Sequence, residues 1–91
     1  MSLNLETLVQ PKNETMLLET TASKLIATVI RNLRETSLSS NTGAAIEAIK
    51  QLDSDRKNQL LVKYGGSLRR IKRFPDAAHI LEVLTTEAGA E

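Results

Sequence analysis

Apolar residues recur at helical spacing between Met16 and Leu33, namely Met16, Leu18, Ala22, Leu25, Ile26, Val29, Ile30 and Leu33, with mostly polar and charged residues between them. Steps of three and four put these side chains on one face of a 3.6-residue repeat, so the stretch predicts a principal, core-facing helix. Upstream, Leu3, Leu5, Leu8 and Val9 form a short apolar segment. Pro11 is expected to end it, since proline lacks the N–H that would continue a helical ladder. Residues 1–11 are therefore read as a short docking piece, with Met1 to Leu3 in part a cloning remnant. Asn13 then reads as the N-cap of the principal helix, with Glu14 and Thr15 in its first turn and a stop at Glu35.

Residues 36–43 carry no period and are rich in side chains that bond their own backbone. A mobile connector is expected there, anchored at its middle by Leu38. Ala44, Ala45, Ile46, Ala48, Ile49 and Leu52 predict the next helix, whose alanines permit close approach to a neighbour. Asp53 or Ser54 should cap a further helix bearing Leu60, Leu61 and Tyr64. Gly65-Gly66 is expected to stop that helix through a left-handed cap. Ser67 would then open a separate basic turn, with Leu68, Ile71 and Phe74 inward and Arg69, Arg70, Lys72 and Arg73 toward water. Pro75 suits a first helical position, and Asp76 the first turn. Ala77, Ile80, Leu81 and Leu84 predict a last helix ending near Ala88-Gly89.

No stretch alternates with period two for long enough to make a strand. The fold class read from these patterns is all-α: a small bundle or superhelical array of about four packed antiparallel helices with short turns, forming one domain over 1–91. Its core is expected to contain Leu18, Leu25, Ile26, Val29, Ile30, Leu33, Ile46, Ile49, Leu60, Leu61, Ile71, Phe74, Ile80, Leu81 and Leu84.

Composition narrows the function classes. Ninety-one residues suffice for one modest core. With no cysteine, disulfide scaffolds, thiolate metal sites and cysteine nucleophiles are excluded. No apolar run is long enough to span a membrane, and the N-terminus lacks the pattern of a signal peptide, so a cytoplasmic location is expected. A net charge of +1 with one phenylalanine, one tyrosine and no tryptophan argues against nucleic acid as partner, because stacking platforms are nearly absent.

Candidate chemistry is sparse. His79 is the single histidine, with Asp76 and Glu82 three residues to either side on the same predicted helix. The bland reading, a partly exposed histidine on a helix flank, outweighs a proton-transfer role. Asp53 and Asp55 read as helix-start charges, and Gly65-Gly66-Ser67 lacks the spacing, the lysine and the preceding strand of a phosphate loop. No catalytic, cofactor or metal site is predicted, and the chain reads as a non-enzyme.

One surface feature carries a functional reading. Lys63, Arg69, Arg70, Lys72 and Arg73 gather five of the twelve lysines and arginines into one short stretch. Such a patch could hold phosphates, an acidic protein surface or anionic lipid, or be a solvated helix face whose stems cover Leu68 and Ile71; of the ligands an acidic protein surface is favoured, and these five are the candidate partner-binding residues. Two other readings stay open: a stand-alone helical adaptor or homo-oligomeric bundle, and a small nucleic-acid-binding domain using the basic turn 67–73.

The stretches Ile46 to Asp53 and Asn58 to Tyr64 resemble the corresponding region of the smallest subunit of the actin-related protein 2/3 complex, with the Leu52-Asp53 and Lys63-Tyr64 pairs the distinctive residues. The segments Ala22 to Arg34 and Ala78 to Gly89 extend the resemblance to the helices on either side. It implies an all-α superhelical domain and a non-catalytic scaffold subunit that docks through helices onto neighbouring subunits of an actin-nucleating, cytoskeletal assembly. It also implies that Lys63 and Tyr64 serve structure more than function. The chain departs from the family after Tyr64, where Gly65-Gly66-Ser67-Leu68 replaces a second aromatic and a basic-glycine pair, and in lacking the family's acidic N-terminal arm and final helix.

Overall fold

Among the described residues, four helices form in sequence order: α1 (Pro11–Thr36), α2 (Thr42–Lys50), α3 (Ser54–Arg70) and α4 (Pro75–Thr85). The computed structural model describes residues 11–86, and side chains from residue 17 onward. The expectations for the segment before Pro11, for the Met16 side chain and for Ala88-Gly89 lie outside those residues. Contacts fix the relative directions of the helices. Glu19 pairs with Arg56 and Ser23 with Tyr64, so α1 and α3 run the same way. Lys57 reaches Thr86, so α3 and α4 run oppositely. Thr42 and Asp76 meet, so α2 and α4 start at the same end. The result is an up-down-up-down bundle in which α1 packs most closely on α2, and α3 on α4.

The stripe on α1 does what its spacing requires: Ala22, Ile26, Val29, Ile30 and Leu33 are all buried. Ile46 and Ile49 of α2, Leu60 and Leu68 of α3, and Ile80 and Leu84 of α4 close the core, with Ile71 at the α3–α4 turn. Ala45 and Ala77 are fully buried, and their small side chains let α2 and α4 approach their neighbours. Leu18, Leu25, Leu61, Phe74 and Leu81 were expected inside but sit half-buried at its margin. A bundle this small has too little interior for every apolar side chain.

Several boundaries differ from the sequence expectation. Pro11 is the first described residue of α1. Asn13 accordingly lies inside the helix and does not cap it. The connector shrinks to residues 37–41, because Thr36 joins α1 while Thr42 and Gly43 join α2. Its turn is fixed locally. Ser37 takes a left-handed backbone with φ 66, its N–H donates to the Leu33 carbonyl at 3.0 Å, and Asn32 donates to the Asn41 side chain at 3.3 Å. Leu38 anchors nothing and is 76% exposed.

The largest correction falls at Gly65-Gly66. α3 runs through both glycines to Arg70, neither takes a left-handed backbone, and Ser67 caps nothing. Two mid-helix glycines cost about 2 kcal/mol together, whereas burying Leu68 and Ile71 returns about 3–6 kcal/mol, so packing carries the helix onward. The inward spacing of Leu68, Ile71 and half-buried Phe74 holds even though the helix boundary moved. A Cβ at Gly66 would meet nothing within 4 Å. Gly66→Ala is therefore expected to stabilise the protein by about 0.5–1 kcal/mol, read as a higher urea midpoint. A left-handed cap at that residue would give a loss instead.

Two ends agree with the reading. Asp53 caps α3, its carboxylate accepting the Arg56 N–H at 2.9 Å. Phe74 and Pro75 open α4, with Asp76 in its first turn. The end of α4 comes earlier than expected, at Thr85, where the Thr85 and Thr86 hydroxyls both donate to the Glu82 carbonyl at 2.9 and 3.0 Å.

Candidate functional site: a basic furrow between two parallel helices

Helical register decides which basic residues can act together. Lys63, Ser67 and Arg70 recur at i, i+4 and i+7 on α3 and share one face. Arg69 points elsewhere: with Lys72 it lines a shallow groove against α4 beside Leu81 and Glu82. Arg73 lies past the end of α3, its guanidinium carbon 4.6 Å from the centroid of the Phe74 ring. All five proposed partner-binding residues, Lys63, Arg69, Arg70, Lys72 and Arg73, are exposed. They divide between two faces, because helix α3 rotates its side chains and the chain then turns.

Across from Lys63 and Ser67 stands a second set of cations. The α1–α3 seam is more open than the α1–α2 and α3–α4 seams. Two adjoining depressions of about 440 Å³ each follow it. The upper one is walled by Arg31 and Arg34 of α1 and by Tyr64 and Ser67 of α3, with Ala27 and Ile30 at its floor. Below it lie Ser23 and Lys24 on α1, facing Gln59 and Lys63 on α3. These α1 residues are spaced by three, four and seven, so both depressions open on the same side of the helix.

Tyr64 ties the seam together. Its hydroxyl shares a 2.6 Å hydrogen bond with Ser23, and the Lys63 ammonium lies 5.4 Å from its ring centroid. Near the foot of the seam Arg56 faces Glu19 at 3.8 Å and Asp53 at 3.4 Å. Glu19 is thus matched by a cation of its own, which leaves the middle of the furrow to Lys24, Arg31, Arg34 and Lys63. Glu35 stands at the upper end.

Positions considered for chemistry do not converge. His79 is exposed on α4, and the Asp76 carboxylate accepts a 2.7 Å hydrogen bond from the Thr42 hydroxyl, joining the starts of α4 and α2. Among the described residues, no group of three or more His, Cys, Asp or Glu side chains is placed to hold a metal ion. No described helix is long and apolar enough to cross a membrane.

Sequence reasoning missed Arg31, Arg34 and Lys24 as site residues. Lys24 and Arg31 are seven apart, and Arg34 follows three later, a spacing that was available. Only the parallel placement of α3 shows that these cations face Lys63 and Ser67. No protein family, curated protein or solved structure matches this chain.

Proposed function

We propose that this chain is a non-catalytic helical protein–protein interaction domain that binds partners through its basic face. The observation that carries the reading is charge segregation between helix pairs. From Ser23 to Thr36 on α1 and from Gln59 to Arg70 on α3, the charged residues are Lys24, Arg31, Arg34, Lys63, Arg69 and Arg70 against Glu35 alone. On α2 and α4 they are Glu47, Asp76 and Glu82 against Lys50. A field of this kind steers and orients an acidic protein surface, while net charge near zero limits indiscriminate attraction to polyanions.

A narrower form of the proposal makes the chain a cytoplasmic scaffold subunit of an actin-nucleating complex. It is supported by the Leu52-Asp53 and Lys63-Tyr64 pairs and by the structural use of Tyr64. Recovery of actin-related subunits with the folded protein is its test.

The broader reading is tested by charge reversal. Lys63→Glu/Arg70→Glu, reversing the two members of the cluster that share a face, is expected to lower protein capture from a native extract by about tenfold or more, with unfolding free energy within about 0.5 kcal/mol of wild type. Undiminished capture by the folded double variant contradicts partner binding through this face.

A further inference from the structure

We infer that the α1–α3 furrow is a docking groove for an acidic amphipathic helix of a partner protein, an assignment that rests on the interaction reading above and gives it a place and a ligand chemistry. Three observations converge. The furrow runs from Glu19 to Glu35, about 24 Å at the helical rise, which matches roughly four turns of a docked helix. Its upper floor is apolar, made by exposed Ala27, the edge of Ile30 and the half-buried Tyr64 ring. Leu17, 64% exposed, lies seven residues before Lys24 and fourteen before Arg31, and extends the same face of α1 downward. Finally, Lys24, Arg31 and Arg34 on one wall and Lys63 on the other face the flanks of any helix laid between them.

The chemistry of the occupant follows. An apolar upper floor with cationic walls asks for leucine-like anchors at i, i+3, i+4 and i+7, with aspartate or glutamate on both flanks. A nucleic-acid backbone would use the walls and leave the floor without a partner, and the chain has one tyrosine and one phenylalanine for stacking. Burying the floor under apolar side chains also lowers the local dielectric, which strengthens the arginine–carboxylate contacts at the rim.

The test uses a defined probe: a fluorescent 18-residue synthetic helix with leucines in that register and glutamates on the flanks. Beside it run a scrambled peptide of equal composition and a version with lysine for glutamate. The expected result is that the acidic helix binds and shifts the amide resonances of Ala27, Arg34 and Ser67. Arg31→Glu/Arg34→Glu should weaken it about tenfold or more, and Lys72→Glu/Arg73→Glu less than about twofold. Circular dichroism confirms that both variants are folded. Binding that responds to Lys72→Glu/Arg73→Glu and ignores Arg31→Glu/Arg34→Glu overturns the furrow but leaves an interaction domain with its site elsewhere. Equal affinity for the scrambled peptide and for heparin overturns both, because only net charge would then be recognised. Failure of the acidic helix to bind overturns the furrow assignment outright.

Discussion

Replacing Leu68 with alanine is expected to cost about 2–5 kcal/mol, the range for deleting most of a buried leucine without collapse of the cavity. Leu68 has no exposed surface and lies in the last turn of α3, beyond the two glycines. Its carbonyl accepts the Ile71 N–H at 3.1 Å, so it also holds the start of the turn that feeds α4. At this chain length 1 kcal/mol corresponds to about 4–8 °C, and a fall in melting temperature of at least about 8 °C is the outcome to look for. Val62→Ala is the control: it shares the helix, but Val62 is 79% exposed and the change should stay near 0.5 kcal/mol. Equal, small effects at both positions would mean that α3 does not pack beyond Gly66.

Lys57 provides the second large effect. It is 7% exposed, and its ammonium donates to the Thr86 carbonyl at 3.3 Å. That carbonyl lies at the C-terminal end of α4, where the helix dipole favours positive charge. The aliphatic stem lines a groove between α3 and α4 together with Leu61 and Leu84. Lys57→Ala removes stem, charge and hydrogen bond together, and should cost about 1.5–3 kcal/mol. Lys57→Met restores the stem alone, so its urea midpoint should fall between those of alanine and wild type. A methionine variant as unstable as alanine would place the whole effect in the ammonium.

The helices themselves were legible wherever one side of the pattern was continuous. The α1 stripe, the alanine-rich α2 face, the Asp53 cap and the Pro75 start each depend on local chemistry, and each recurs in the structure. What failed depended on competition between local and tertiary terms. Gly65-Gly66 is a good stop signal in isolation, and only the burial of Leu68 and Ile71 overrides it. Leu38 shows the limit in the other direction, since an apolar residue in a polar connector need not be buried.

The candidate site was legible in half. The cluster near the end of α3 stands out by density along the chain, but density says nothing of direction, and the turn after Arg70 sends Lys72 and Arg73 away from the face of Lys63 and Arg70. Arg31 and Arg34 belong to a helix read for its apolar stripe, and their charge received no reading of its own. Their significance comes from α3 running parallel beside them, a tertiary fact with no local signature.

Site-specific crosslinking tests the central claim most directly. A photoreactive benzoylphenylalanine is placed at Ala27, exposed in the furrow, and separately at His79, exposed on α4, and the protein is irradiated in native extract. The account predicts crosslinks from position 27 to an acidic helical segment of a protein, competed by excess unlabelled wild type, lost with Arg31→Glu/Arg34→Glu and absent from position 79. Crosslinks to nucleic acid or lipid, or the same products from both positions, would contradict it.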